Sequence, residues 1–240
     1  MNNNKKFAAV LIIFLFSFTP AAFCFCNKIT GLQPYADTIK KSSSETVTDI
    51  NGNVYTTVKI GSQVWMTENL KVTRYRNGDV IDSASDNDKW SYFIKGAWCN
   101  FRNISHNDSV YGKLYNWYAV NDKRGLCPKG WHVSTNEDWT KLISITGGRN
   151  VSAGSLKSLS SLWDTPNGGA TNATGFSAIP GGVRNFYGRF YSVGTFAFFW
   201  TSTTANKGTA HYYRLSCYEP KIIADDVLFG TGFSCRCVKD

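Results

Sequence analysis

Cysteine spacing constrains the fold of this chain more than any other sequence feature. Seven cysteines lie at positions 24, 26, 99, 127, 217, 235 and 237. The first two belong to an N-terminal segment typical of export, so the other five would meet an oxidising compartment, where disulfides normally form. Five is an odd number, so at least one thiol stays free or pairs between chains. Cys235 and Cys237 would point to the same face of a strand, so each needs a partner elsewhere.

Two disulfides are predicted. The first joins Cys127 to Cys237 and the second joins Cys217 to Cys235, which leaves Cys99 unpaired. The first pair would close a loop of more than a hundred residues. The loop-entropy model gives a stabilisation of about 4–5 kcal/mol for a loop of that size.

The first 26 residues have the three parts of a secretory signal peptide. Two lysines precede an uncharged apolar run at residues 7–18, and a proline and small residues end it. The run is shorter than the roughly 20 residues that a membrane-spanning helix needs. We predict a signal peptide at 1–26 and a secreted or outer-cell-surface location. The alternative is a lipoprotein, whose only attachment to the membrane would be an N-terminal lipid on Cys24 or Cys26.

Residues 27–46 are typical of a flexible linker, because they combine glycine, proline, a lysine pair and three consecutive serines. The predicted domain at 47–240 is long enough for one hydrophobic core. The whole sequence has a formal net charge of +9, but its lysines and arginines occur singly or in pairs, not in clusters. Nucleic-acid-binding proteins usually carry a clustered basic stripe, so a nucleic-acid partner is not predicted.

Alternating residues predict strands through much of the domain. Residues 54–60 follow the tight-turn signal Asn51-Gly52, and residues 63–72 continue as the partner strand. A short helix is predicted at 153–159. Further strands are predicted at 195–203, 211–218 and 232–240, with a hairpin around Gly188 at 186–194.

The stretch CPKGWHVSTNEDWTKL at 127–142 holds a cysteine, a histidine and two carboxylates. Ser134 and Glu137 have the spacing of a capping box, and either Ser134 or Thr135 can cap a helix. Asp138 would lie in the first turn, where its charge favours the helix dipole. The stretch therefore predicts a short strand that enters a capped helix, rather than a catalytic cluster.

Side-chain packing completes that interpretation. Trp139 and Leu142 lie three residues apart, so they share one face of the predicted helix. His132 is predicted to pack beside its apolar neighbours. The three histidines, at 106, 132 and 211, lack the spacing of a metal site.

Six segments carry a resemblance to a known family. They are IGSQVWMTENLKVTRYRNGDVI, YGKLYNWYAV, CPKGWHVSTNEDWTKL, TGFSAIPGGVRN, FWTST and GFSCRCVKD. Their order and approximate spacing resemble those of the Fibrobacter succinogenes major paralogous domain, over about residues 47–240. The resemblance implies an exported protein of a Bacteroidetes-type bacterium. It implies no established biochemical activity.

A more distant resemblance suggests the fold. WHVSTNEDWTKL, PGGV and GFSCRCV are similar to segments of the formylglycine-generating enzyme and of C-type-lectin-like folds. This implies an α+β fold of the C-type-lectin-like or sulfatase-modifying-factor-like kind. Such a fold has a small twisted antiparallel sheet, two or more short helices and extensive ordered loops. In C-type-lectin-like folds a disulfide ties the first helix region to the last strand, and Cys127–Cys237 would take that role.

The two resemblances suggest copper binding and calcium binding, but this sequence lacks part of the ligand set for each. The oxidase uses two cysteines four residues apart to bind copper, whereas residues 211–230 contain Cys217 alone. Glu219-Pro220 resembles the sugar loop of calcium-dependent lectins, and Asp225-Asp226 follow, but Lys221 replaces an oxygen ligand. We therefore predict no cofactor, no metal and no catalytic residue, and expect that the protein is not an enzyme. A thiol–copper oxidase and a calcium-dependent lectin remain the alternatives.

Loops rich in tyrosine, asparagine and glycine favour a binding or surface-display module, because tyrosine offers contact area at low entropic cost. The ligand would be an extracellular carbohydrate or protein. Core packing is the competing role for each aromatic residue. The predicted ligand-binding residues are Arg184, Asn185, Tyr187, Tyr191, Tyr212 and Tyr213.

Overall fold

The computed structural model describes residues 45–240, apart from the side chains at positions 87 and 88. The predicted signal peptide at 1–26 and most of the predicted linker at 27–46 lie outside these residues. Within the described residues, the first strand begins at Thr46, one residue before the predicted domain boundary.

Strands dominate residues 45–240, which contain thirteen of them. They are β1 Thr46–Thr48, β2 Val54–Ile60, β3 Gln63–Met66, β4 Asp82–Ser83, β5 Ala97–Cys99, β6 Leu114–Tyr115, β7 Trp131–Val133, β8 Gly181–Arg184, β9 Phe190–Val193, β10 Phe196–Asn206, β11 Thr209–Ser216, β12 Ile222–Leu228 and β13 Cys237–Lys239. The predicted strand at 54–60 has the observed bounds of β2. The fold is mostly β with few helices.

Five α-helices accompany the strands in the same residues. They are α1 Asn87–Trp90, α2 His106–Tyr111, α3 Trp117–Val120, α4 Asn136–Ile145 and α5 Ser152–Leu156, and a 3-10 turn covers Phe101–Asn103. No helix in the described part of the chain is long and apolar enough to cross a membrane.

The strands form four sheets. The largest has the order β1-β2-β3-β13-β7, and a second has the order β10-β11-β12. A third contains β4-β5-β6, and β8 and β9 form a hairpin. Neighbouring strands are antiparallel except for β4 and β5. The antiparallel architecture with short helices agrees with the coarse sequence prediction.

The last strand is shorter than predicted. Of residues 232–240, only Cys237–Lys239 join a sheet as β13. Phe233 and Ser234 instead make isolated bridges to Tyr115 and Phe199. The segment changes partners along its length, so it connects the largest sheet with the β10-β11-β12 sheet.

Of the two predicted cap candidates for helix α4, Thr135 is the one that caps it. Thr135 is the N-cap, with extended backbone angles, and it exchanges hydrogen bonds with Asp138 in a capping box. Ser134 is buried and accepts a hydrogen bond from the indole of Trp139 at 3.0 Å instead. Glu137 is an exposed partner of Lys141, with 2.8 Å between their charged atoms. The prediction of a Ser134–Glu137 box is therefore wrong, because Ser134 faces the core.

The apolar face of α4 packs as predicted. Trp139 and Leu142 are fully buried. The indole of Trp139 stacks on Tyr213, with ring centroids 4.7 Å apart, and meets Trp65 and Phe176 edge-on. These rings form a core between α4 and one face of the β10-β11-β12 sheet.

One predicted disulfide is confirmed and the other is wrong. Cys127 and Cys237 are bonded, with their Cα atoms 6.0 Å apart. Cys99, Cys217 and Cys235 are free and buried. The pair Cys217–Cys235 does not form because Cys235 lies in the core cluster around Tyr115, whereas Cys217 lies in the separate cluster around Trp139.

Candidate functional site

Two of the predicted ligand-binding residues belong to the core. Arg184 and Tyr213 have no exposed surface. The guanidinium of Arg184 donates to the backbone carbonyls of Ala84, Asp86 and Gly188, which joins the β8–β9 hairpin to an earlier loop. Tyr213 stacks under α4 as described above. Neither side chain can touch a ligand in this structure, so we correct the prediction for both.

Three other predicted residues share the β8–β9 hairpin. Asn185 accepts a hydrogen bond from the backbone N–H of Arg189 at 2.9 Å, which closes the turn. Tyr187 is 74% exposed and Tyr191 is 47% exposed. Tyr187 packs only against its neighbour Phe186 among the ring contacts of the described residues. The hairpin thus presents two exposed tyrosines whose rings do not contact each other among the described residues.

The sixth residue, Tyr212, lies on a different surface. Side chains alternate between the two faces of a strand, and the face of β10 and β11 that turns away from α4 carries Phe196, Phe198, Tyr212 and Arg214. The register places Phe198 opposite Arg214. We call this surface, together with Tyr218 after β11, the aromatic face.

The rings of the aromatic face form a continuous row. Phe233 lies beneath it and stacks on Phe198 with centroids 4.8 Å apart, and it also meets Tyr212 at 4.9 Å. Phe196 meets Phe198 at 5.8 Å and Tyr218 at 6.3 Å. Phe198 and Phe233 are buried, whereas Phe196 and Tyr212 are half-buried and Tyr218 is 64% exposed. A buried floor therefore supports an accessible aromatic edge.

Polar groups flank this edge. The guanidinium of Arg214 lies over the ring of Phe196 at 4.9 Å. Its Nε atom is buried and has no hydrogen-bond partner, and Arg214 makes no ion pair among the described residues. Asp225 on β12 lies opposite Tyr212 and is exposed. Burial raises the pKa of Tyr212, and the charge of Asp225 raises it further, so the phenol stays a neutral donor at physiological pH.

Sequence reasoning missed most of this surface. Residues 196–200 are all apolar and predict a strand buried on both sides. No sequence feature therefore indicates that the edge at Phe196 is accessible. The sequence indicated no binding role for Tyr218 beyond its position just before the calcium-like loop at Glu219-Pro220. The available sequence signal was an arginine two residues after Tyr212, a spacing that puts both side chains on one face of a strand.

The calcium-like residues do not converge. Asp225 lies opposite Tyr212, whereas Asp226 lies opposite His211, so the two carboxylates point to different faces of β12. In residues 45–240 there is no group of three or more His, Cys, Asp or Glu side chains that could hold a metal ion. Cys217 is buried, and burial raises the pKa of its thiol.

His132 is not packed as predicted. Its ring is partly exposed and lies between two carboxylates, with Nε2 3.0 Å from Asp138 and Nδ1 2.7 Å from Asp240. The hydrogen bond with Asp138 is the main cause of a raised pKa at His132, although burial opposes it. Both ring nitrogens are occupied by structural contacts, so this trio links β7, α4 and the last residue rather than forming an open active site.

The fold and the face together define a class: a disulfide-bonded, mostly β domain with an accessible aromatic edge. The family model of the Fibrobacter succinogenes major domain matches residues 58–239. The chain therefore belongs to that family. No curated protein and no solved structure matches it.

Proposed function

We propose that the protein is an exported binding module, secreted or held on the cell surface, that binds carbohydrate through the aromatic face without a metal. The N-terminal segment typical of a signal peptide and the buried disulfide support export, because disulfides persist in oxidising compartments. We further propose a C-type-lectin-like fold. The disulfide between the loop before β7 and β13 supports that assignment.

The observation that carries the proposal is an unpaired arginine over an accessible ring. A sugar ring presents an apolar face of C–H groups and a rim of hydroxyls, so it needs an aromatic surface with hydrogen-bonding groups at its border. Phe196 and Tyr218 offer the surface. Arg214, the phenol of Tyr212 and the carboxylate of Asp225 offer donors and an acceptor at the border.

The charge of Arg214 would also orient a bound sugar. Arg214 lacks a counter-ion among the described residues, so its charge is available to a hydroxyl or a carboxylate of the ligand. Hydrogen bonds to a charged donor are about twice as strong as neutral ones. A sugar at the accessible edge would therefore be oriented by Arg214, which borders Phe196, whereas Asp225 borders Tyr212 further along the face.

Affinity electrophoresis tests the proposal. The oxidised exported chain migrates through native gels that contain single polysaccharides, and retardation reports binding. Tyr218→Ala and Arg214→Gln should each reduce the retardation of the wild-type protein. Tyr187→Ala removes an equally exposed tyrosine from the β8–β9 hairpin and should change nothing. Equal retardation of all four proteins, or a loss confined to Tyr187→Ala, would overturn the assignment to the aromatic face.

A further inference from the structure

A polar cleft of about 310 Å3 lies apart from the aromatic face. The loop after β3, the end of α2 and residues 177–179 surround it, and it shares no residue with the aromatic face. Its lining includes Glu68, Asn69, Lys71 and Ser177. Small-ligand sites are commonly concave and carry a few convergent polar groups.

A buried cation lies directly behind this lining. Arg236 has no exposed surface. Its guanidinium donates to the Oδ1 atom of Asn69 at 2.8 Å and to the backbone carbonyl of Ser177 at 3.2 Å, and both residues line the cleft. Its other acceptors are the backbone carbonyls of Met66 and Phe176. All four acceptors are neutral, so no carboxylate touches the buried charge.

The guanidinium also has a spare donor. It carries five N–H groups, and the four acceptors leave one N–H of Nη2 without a partner among the described residues. A buried charge without a counter-ion is unfavourable. Burial lowers the pKa of Arg236 to about 9, and the nearby carboxylate of Glu68 opposes that shift. An anion in the cleft would improve the electrostatic balance.

Several donors on the lining itself have no partner among the described residues. Among the described residues, the ammonium of Lys71 makes no hydrogen bond and no ion pair, and its nearest ring is that of Tyr55, 5.8 Å away. The backbone N–H groups of Glu68, Asn69 and Ile179 have no acceptor in this part of the chain. These donors suit a ligand that is rich in acceptor oxygens.

One carboxylate lines the cleft, and it is partly engaged. The Oε2 atom of Glu68 accepts from the backbone N–H of Thr56 at 2.9 Å and from the hydroxyl of Thr67 at 3.0 Å. Lys71 and Arg236 therefore face a single acid whose charge is shared with two other donors. The local balance favours a negatively charged guest.

We propose that this cleft binds a compact organic carboxylate, of the size and polarity of a sugar acid. The carboxylate group would lie toward Lys71 and the wall in front of Arg236, and the hydroxyls would meet the free backbone donors. This site is independent of the carbohydrate surface proposed above, so either assignment can fail without the other.

Nuclear magnetic resonance titration of the exported, oxidised chain at low salt tests the site. Sodium glucuronate should shift the amide signals of Glu68, Asn69 and Ile179 in a saturable manner. Glucose, which lacks the carboxylate, should not, and acetate should shift the same signals more weakly. The Tyr218→Ala variant should respond to glucuronate like the wild-type protein, which separates this cleft from the aromatic face.

Two cleft variants should move affinity in opposite directions. Lys71→Gln removes a cation and should weaken glucuronate binding about 3- to 10-fold. Glu68→Gln keeps the hydrogen bonds to Thr56 and Thr67, removes a repulsive charge and should strengthen binding. Lys59→Gln, which changes an exposed lysine outside the lining, is the matched control. Saturation by glucose as readily as by glucuronate, shifts that map elsewhere, or equal affinity of Lys71→Gln and Glu68→Gln would overturn the proposal.

Discussion

Individual polar residues hold the domain together at points where separate parts of the chain meet. His132 joins β7 to α4 and to Asp240, and Lys157 joins the turn after β11 to residue 168. Neither role was visible in the sequence, because each depends on partners many positions away. Local patterns predict a helix face, as they did for Trp139, but they do not predict which distant carboxylate or carbonyl meets a given cation.

The His132 contact predicts a pH-dependent stability. The raised pKa of His132 means that its contribution is fully present below the unfolded value of 6.5 and is lost as pH rises through the folded value. For Asp138, burial would raise the pKa, but hydrogen bonds from His132 and Thr135 lower it to about 2, so its contribution is present above 3.8 and fades as pH falls toward 2. Both stabilising contributions are therefore present between pH 3.8 and pH 6.5.

Urea unfolding of His132→Gln across pH 4–9 checks this linkage. The variant should be less stable than the wild-type protein by about 1 kcal/mol or less near pH 5, since the imidazole is partly exposed. The difference should shrink above neutral pH. His106→Gln changes an exposed histidine and serves as control. A difference of the same size at pH 9 would refute the role of the charged imidazole.

Lys157 gives a second prediction at this scale. Its side chain is buried, and its ammonium donates to the backbone carbonyls of Gly168, Ser216 and Glu219 at 2.7, 2.8 and 3.3 Å. Lys157→Met would leave these carbonyls unpaired, so it should lower the free energy of unfolding by about 2–4 kcal/mol. Urea unfolding measures this, with the exposed Lys207→Met as control. A loss no larger than that of the control would contradict it.

At the scale of elements, hydrophobic periodicity predicted β2 to the residue, and the spacing of Trp139 and Leu142 predicted the buried face of α4. The capping box of α4 was assigned to the wrong pair because the N-cap is selected by backbone angles, and Thr135 has the extended angles while Ser134 turns into the core. The aromatic face was missed because β10 is apolar on both sides. Sequence alone cannot say which side of such a strand the rest of the chain covers.

The corrected cap predicts which acid matters for α4. Asp138→Ala removes the capping box and the contact with His132, so it should destabilise the protein by about 1–2 kcal/mol. Glu137→Ala removes only an exposed pair with Lys141 and should cost a few tenths of a kcal/mol, about the value of one such pair. Chemical denaturation of both variants at neutral pH measures the difference. A larger effect at Glu137 would restore the box predicted from the sequence.

At the scale of the whole molecule, one covalent link joins the loop before β7 to β13 across 110 residues. The sequence predicted this pair, and the resemblance to C-type-lectin-like folds implied it too. The second predicted pair failed because spacing along the chain does not report which of two core clusters receives each thiol. Cys217 and Cys235 lie in different clusters.

Thiol counting tests this connectivity. In the native exported domain Cys99, Cys217 and Cys235 are buried, so a thiol reagent should react slowly. After denaturation without reductant, residues 45–240 should yield three reactive thiols. A yield of one thiol would restore the Cys217–Cys235 disulfide, and peptide mapping would identify the bonded pair. Loss of the Cys127–Cys237 bond should destabilise the domain by about 4–5 kcal/mol.

A glycan-array screen of the oxidised exported protein, with and without a chelator, tests the central claim most directly. Metal-free carbohydrate binding at the aromatic face predicts reproducible hits that survive chelation and that Tyr218→Ala weakens. Hits that the chelator abolishes would contradict the metal-free mechanism and return Glu219, Asp225 and Asp226 to consideration as calcium ligands. A blank array would contradict carbohydrate binding altogether.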